Sequence, residues 1–376
     1  MTEERYIGGV IDLSLDSLLK NTNHNSFFEE FNLPQEETLF TFSGRAAFST
    51  ILDVLNLSNG FIILPEYICT SAIYPILELR SLEPLKFNLA DDFAQETKEV
   101  ISVINKVKIE KIRGILLCNY FGKNDPEETG LTLKSTYPEV PIILDSVQDF
   151  SGLFCYEKRK KWADWQFYSL KKSLPIPDGG ILIGPRIGDM NLGISSESLK
   201  YSCLNFTASR LRNFILDPSI DKKIRDEIED IFLDLLSLSK KNHPNNSESI
   251  TSLSRFLISK IDINNYANIR DSNYKYLSNQ LIDLDYIELL QDYENYRANN
   301  YLPILVRNKN RDLLQAFLKD KGIFCPIHWP QNEEIYNSLS PNSRNIADNI
   351  LSLPIDQRYT LDDMSRLFNM IKSFSM

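Results

Sequence analysis

Three short segments carry the residues of this chain best suited to chemistry. Asp145-Ser146-Val147-Gln148 follows the apolar run Pro141 to Leu144, Ser169-Leu170-Lys171-Lys172 comes soon after, and Pro177-Asp178-Gly179-Gly180 closes the stretch. A lysine amine forms a Schiff base with a carbonyl compound and, once freed by exchange with an amino substrate, shuttles protons. A carboxylate beside a ring nitrogen raises that nitrogen's pKa and keeps it protonated, which turns a pyridine-type ring into an electron sink. Asp145 suits the second task, because ligands of parallel α/β sheets bind at the carboxyl ends of strands. Lys171 and Lys172 both suit the first. Each residue also has an ordinary alternative: an aspartate there can cap the next helix, and paired lysines commonly sit in solvent.

A fourth segment, Ser43-Gly44-Arg45-Ala46-Ala47, reads as a helix start, with Ser43 as cap and Phe48, Ile51 and Leu55 continuing the helical spacing. Free backbone N–H groups and a partial positive charge make such a start a seat for a phosphate dianion, and Gly44 permits close approach. A plain capped helix satisfies the same pattern.

The elements that must position these residues alternate in type. From about 44 to 185, short apolar runs separate helical patterns, as in a parallel sheet with crossover helices, so the fold class is α/β. The expected strands are 61–64, 85–89, 114–118, 141–144, 165–168 and 180–183, with helices over 45–55, 97–107 and 127–135. Residues 195–240 read as amphipathic helices forming a connector. The polar run Lys240 to Ser247 reads as a linker, which places a large domain at 1–248 and a small α+β domain at 249–376. The latter should hold a helix over 263–281, a strand over 301–306, a helix over 311–319, strand-like runs at 322–327 and 350–355, and a last helix from 361.

With 376 residues, 43% hydrophobic, the chain can bury a large core. Its formal charge of −10 argues against a nucleic-acid partner. Five scattered cysteines without a Cys-x-x-Cys pair suit a reducing, cytoplasmic setting. No secretion signal is visible, and the longest apolar stretch, 61–77, is interrupted by Pro65, Glu66 and Pro75, so no membrane span is expected. The three histidines are too dispersed for a zinc site, and no metal is expected. Walker, Gly-x-Ser-x-Gly and Gly-x-Gly-x-x-Gly motifs are absent. His328 stands between Pro326 and Pro330 beside Trp329, which reads as a rigid turn or a substrate-facing residue.

Taken in order, these pieces resemble the sugar aminotransferase family called DegT/DnrJ/EryC1/StrS, fold-type-I enzymes that use pyridoxal phosphate. The resemblance runs through Ile7-Gly-Gly, Ser43 to Ala47, Leu64-Pro-Glu-Tyr67, Asn119-Tyr-Phe-Gly122, Leu144 to Gln148, Asp164 with Ser169, the lysine loop to Gly180, Arg270 to Tyr274, Gly322 to Pro330 and Leu353 to Tyr359. It implies a large domain with a mostly parallel sheet, a smaller C-terminal α+β domain, and a homodimer. Lys172 rather than Lys171 would bond to the cofactor aldehyde, since the family lysine lies seven residues before the first glycine of the pair. Asp145 would pair with the ring nitrogen and Gln148 would contact the ring hydroxyl. Gly44, Arg45 and Ser169 would hold the phosphate. Tyr67, Tyr120 or Phe121 would stack on the ring, because Cys69 stands where the family aromatic falls. Asn205 resembles a family asparagine that reaches the phosphate of the neighbouring subunit, with Thr207 in place of the usual arginine. The implied reaction moves an amino group, with glutamate as donor, to a keto sugar linked to a nucleotide, in amino-sugar or surface polysaccharide synthesis. The rival readings are a non-transaminating enzyme on the same cofactor, such as a dehydratase, and an inactive partner or regulator with this fold.

Overall fold

The computed structural model describes residues 6–13, 26–122, 125–217, 219–241, 243–290, 297 and 299–374. In its N-terminal part β1 (Ile7–Gly8) and α1 (Phe27–Phe31) precede β2 (Thr38–Thr41), α2 (Gly44–Val54), β3 (Gly60–Pro65), α3 (Thr70–Glu78) and β4 (Leu82–Phe87). Next come α4 (Thr97–Ile104), β5 (Ile112–Cys118), α5 (Glu127–Thr136), β6 (Ile142–Asp145), α6 (Tyr156–Arg159), β7 (Trp165–Ser169) and β8 (Gly180–Ile183). Seven of these strands form one sheet in the order β2-β8-β7-β6-β5-β3-β4. The five from β7 to β4 run parallel, while β8 runs antiparallel to both its neighbours, β7 and the edge strand β2.

The period-two alternation of a strand explains how apolar runs such as Ile142-Ile143-Leu144 serve both faces. Ile115, Leu117, Ile142 and Leu144 pack with Val100 and Ile104 of α4 and Leu133 of α5. Leu116 and Ile143 point the other way, to Phe48 and Ile51 of α2 and Ile73 of α3. Both faces are therefore covered, and the carboxyl ends of the strands are left for chemistry.

Then follow α7 (Ser196–Leu216) and α8 (Lys222–Lys241), which bury Ala208, Ile215 and Phe232 between them. The C-terminal part adds α9 (Ser252–Ile258), α10 (Ile263–Leu281), β9 (Ile287–Leu289), β10 (Tyr301–Val306), α11 (Arg311–Asp320), β11 (Ile323–Phe324), α12 (Glu333–Ser338), α13 (Pro341–Asn349), β12 (Ile350–Pro354) and α14 (Leu361–Ser373). Here β12-β10-β9 form an antiparallel sheet, covered by Leu277 and Leu281 of α10, Leu314 and Leu318 of α11, and Leu367 and Ile371 of α14. The first strand pairs with the far end of the chain, β1 running parallel to β11.

Several elements differ from the sequence expectation. The edge strand β2 was not foreseen, since Thr38–Thr41 is short, buried throughout, and defined by pairing with β8. Thr70–Glu78 is helical despite Pro75, because Ile73, Ile76 and Leu77 fall on one buried face. Strand β4 spans Leu82–Phe87 rather than 85–89, with Pro84 tolerated at the sheet edge, where a missing N–H costs no ladder bond. Of the run 322–327 only Ile323–Phe324 is strand.

Candidate active site

The carboxyl ends of β6 and β7 and the start of α2 meet around a cavity of about 170 Å³. Its lining includes Ser43, Gly44, Arg45, Cys69, Asp145, Val147, Ser169, Lys172 and His243. Asp145 is the last residue of β6 and only 3% exposed. Its Oδ1 accepts a hydrogen bond from Val147 N at 2.9 Å, the one bond its carboxylate receives among the described residues. Burial pushes its pKa up to about 6, against smaller opposing effects of that bond and of Lys172. The capping role belongs instead to Asp149, whose side chain accepts from Gly152 N at the start of the 3-10 turn Phe150–Cys155.

The loop after β7 separates the two lysines. Leu170 N and Lys171 N both donate to Gly179 O, and Gly179 N donates to Phe42 O, so the loop closes against the residue pair before α2. Gly180 is required there, because a Cβ on it would lie 2.4 Å from Ser43 C. Asp178 is fully buried and accepts from Ser202 Oγ (2.6 Å), Thr251 Oγ1 (2.7 Å), Ser254 Oγ (2.8 Å) and Thr251 N (3.0 Å), which ties the loop to α7 and α9. From the C-terminal part, Asn300 Nδ2 donates to Lys172 O, and Arg270 Nη2 donates to Ser173 O at 2.6 Å. Lys172 lines the cavity as a result, whereas Lys171 turns to Tyr201 and donates to its Oη at 2.7 Å.

At the other end of the cavity, Ser43 caps α2 by accepting from Ala46 N at 3.2 Å. A Cβ on Gly44 would lie 2.7 Å from Val147 Cγ1, so this glycine lets the helix start approach the Asp145 turn. Arg45 Nη1 donates to Asn245 Oδ1 at 3.3 Å. His243 packs edge-on against Tyr201 at 4.8 Å between ring centroids. Its pKa is pushed down to about 4, chiefly by burial and then by the charge of Arg45.

Gly44, Arg45, Asp145, Ser169 and Lys172 are thus brought together, and the remaining candidates lie outside the cavity lining. Gln148 is part-buried. Tyr67 is fully buried, its Oη donating to His328 O and accepting from Trp329 N, both at 2.8 Å. Tyr120 and Phe121 pack with Phe93 and Trp329. Asn205 is buried in α7, its Nδ2 donating to Tyr201 O at 2.9 Å. His328 bonds Ser352 Oγ through Nδ1 at 2.8 Å, and burial, with the charge of Lys172, lowers its pKa to about 3. Sequence reasoning did not pick out Val147, Ala72, Ile73, Phe167 or His243 as lining residues. His243 sits in the polar run read as a linker, and nothing local marks it.

Residues 258–372 match the model of the DegT/DnrJ/EryC1/StrS aminotransferase family. No curated protein matches the chain in sequence. In fold it is similar to a DegT DnrJ EryC1 StrS aminotransferase from Brucella abortus, at 16% identity over 97% of this chain and 91% of that one, with a TM-score of 0.64. It is similar to the PLP-form of the putative sugar aminotransferase Spr1654 from Streptococcus pneumoniae, at 14% identity, 98% of both chains and a TM-score of 0.65. A third likeness is to DesI in the presence of its TDP-sugar product, at 15% identity, 99% of this chain and 93% of that one, with a TM-score of 0.66. The family resemblance thus holds in sequence over residues 258–372 and in fold over nearly the whole chain. Together the match and the fold support a pyridoxal-phosphate-dependent aminotransferase.

The cavity residues fit that cofactor. Asp145 is a buried carboxylate with one hydrogen bond, raised in pKa by its burial, and a protonated ring nitrogen would give it a cationic partner. The α2 start beside Arg45 offers N–H groups and positive charge to a phosphate. Lys172 supplies an amine in the same cavity.

Proposed function

We propose that the chain is an aminotransferase that moves an amino group from glutamate to a keto sugar carried on a nucleotide, as a cytoplasmic homodimer serving amino-sugar or surface polysaccharide synthesis. The observation that carries this reading is the convergence of Asp145 and Lys172 on one cavity whose far end is the start of α2. The sugar-nucleotide part draws on the relatives, of which one is described as a putative sugar aminotransferase and another was solved with a TDP-sugar product. The proposed division of labour sets residues 1–248 as the cofactor-holding domain and 249–376 as the smaller domain that braces the lysine loop.

Bound at this site, the cofactor supplies an electron sink for the carbanion left when the amino-bearing carbon loses its proton. The protein's part is to hold, orient and move protons. Asp145 keeps the ring nitrogen protonated, and the pairing relieves the carboxylate's burial cost. Lys172 Nζ would hold the aldehyde end of the cofactor at rest and, once freed by an amino substrate, would serve as the base that takes the proton from the substrate carbon and gives it back. Ser43, Gly44, Arg45 and Ser169, which line the cavity at the start of α2, would anchor the phosphate end. In the second half-reaction Lys172 moves the proton in the opposite sense on the keto substrate. Val147 and Phe167 add apolar lining that excludes water.

The test is a half-reaction. The full chain loaded with pyridoxal phosphate and given glutamate should release one equivalent of 2-oxoglutarate, and a panel of nucleotide-linked keto sugars should then regenerate the starting form. No oxo acid from any amino donor would sink the reading, and loss of water from the sugar without amino transfer would favour a dehydratase.

A further inference from the structure

Two adjacent asparagines, Asn299 and Asn300, lead into β10 and are buried, at 2% and 6% exposure. Their side chains reach into the loops at the carboxyl ends of the parallel strands of the large sheet. Asn299 Nδ2 donates to Phe121 O (3.0 Å), after β5, and to Asp149 Oδ1 (2.9 Å), after β6, while its Oδ1 accepts from Ser151 N at 3.0 Å. Asn300 Nδ2 donates to Lys172 O and to Ser173 Oγ (3.2 Å), after β7. Gly122, at φ +82°, makes room for the first amide, since a Cβ on it would lie 2.6 Å from Asn299 Nδ2.

Arg270 of α10 joins two of the same loops. It is fully buried, its Nη2 donates to Ser173 O at 2.6 Å, and its guanidinium carbon lies 5.5 Å from the centroid of the Phe150 ring, in the turn after β6. Its Nε and Nη2 also donate to Gln357 Oε1, at 2.9 and 2.6 Å. Among the described residues the guanidinium thus ends on a main-chain carbonyl, an amide and a ring, with no carboxylate bonded to it. A buried cation without a paired anion is costly, and an apolar side chain of like volume would pack there without that cost. Asn300 Oδ1 is likewise buried with no hydrogen-bond partner among the described residues. Both residues carry a burial cost, and what both secure is the backbone at Lys172 and Ser173.

We propose that Asn299, Asn300 and Arg270 are positioning residues, which pin the loops after β5, β6 and β7 to one another and so fix the reach of Lys172 relative to Asp145. The inference rests on the cofactor reading above. Asp145 ends β6 just before the pinned Asp149, and Lys172 carries one of the pinned carbonyls, so the two side chains share one clamp. A displacement of about 1 Å between reacting groups can cost on the order of 100-fold in rate. A slack loop would leave the cofactor's anchors in place and Lys172 misaimed.

The experiment compares the native full chain with Asn300→Leu, Arg270→Met and Arg270→Lys, and with Leu314→Ala, which opens a cavity in the core of the C-terminal part. Amide exchange on the cofactor-free proteins reads the loop itself: residues 170–176 should exchange at least about tenfold faster in Asn300→Leu and Arg270→Met. With pyridoxal phosphate added, borohydride trapping should show Lys172 capturing it about 10- to 100-fold more slowly. The kcat for release of 2-oxoglutarate from glutamate should fall by a like factor, with KM and cofactor affinity within about threefold of native. Arg270→Lys, which keeps a donor for Ser173 O, should recover most of the loss. Leu314→Ala should lower the unfolding midpoint and leave kcat and the trapping rate at native values. Asn300→Leu, which removes only one amide, carries the test if Arg270→Met does not fold. Exchange and trapping unchanged in Asn300→Leu, or a loss of kcat that Leu314→Ala matches, would overturn the proposal while leaving the cofactor reading intact. A native chain that captures no pyridoxal phosphate would sink the cofactor reading, and this proposal with it.

Discussion

Asp145 should make the cofactor-free protein less stable than it need be. Its pKa is about 6 in the fold, against an ordinary 3.8, and burial is the leading cause. An acid whose pKa is raised by folding stabilises when protonated, and that contribution is lost as pH climbs from the unfolded value through the folded one. Above pH 6 the ionised carboxylate therefore costs about 3 kcal/mol, taking ~1.4 kcal/mol for each tenfold change in proton affinity. In Asp145→Asn the carboxamide oxygen can still accept from Val147 N, but no charge is buried. The variant's advantage should be small at pH 4, and it should grow by about 1.4 kcal/mol between pH 5 and pH 8. Urea unfolding of both cofactor-free proteins across that range measures the difference. A pH-independent gap, or a variant less stable than the native chain at pH 8, would refute the reasoning. The same substitution should abolish transamination, because the amide cannot hold a proton on the ring nitrogen.

Two further perturbations test the scaffold. Arg159 is buried between Asp125 (2.6 Å) and Asp149 (2.7 Å), and Arg159→Met leaves both carboxylates uncompensated; it should cost about 3–5 kcal/mol in the unfolding midpoint, and a loss below about 1 kcal/mol would contradict the assignment. Gly44→Ala places a Cβ 2.7 Å from Val147 Cγ1, so the helix start must withdraw or Val147 must turn into the cavity; fluorescence titration should show pyridoxal phosphate bound at least about tenfold more weakly, with little change in the melting temperature.

Much of the scaffold was legible because its signals are local. Helix α10 (Ile263–Leu281) and strand β10 (Tyr301–Val306) fall where the sequence places them, the first through its buried spacing, the second through a continuous apolar run. The parallel strands were found within about two residues because both their faces are buried, apart from β4 at the edge. What escaped depends on distant partners. Strand β2 is defined by β8, more than a hundred residues on. Pro177-Asp178-Gly179 reads locally as a turn, and that Asp178 anchors residues 202, 251 and 254 is visible only in the fold. His243 looks like linker and folds back over the start of α2. That the Tyr67 hydroxyl holds the His328–Trp329 backbone is likewise visible only in the fold. Lys171 and Lys172 are indistinguishable by type, and only the loop geometry sends one to Tyr201 and the other to the cavity.

The central claim is that Lys172 carries the cofactor, and one measurement meets it directly. The full chain is loaded with pyridoxal phosphate, reduced with borohydride to fix the lysine bond, digested and mapped by mass. The pyridoxyl group should appear on Lys172 in near-stoichiometric yield. Its appearance on Lys171 or another lysine, or no fixed cofactor at all, would contradict the account.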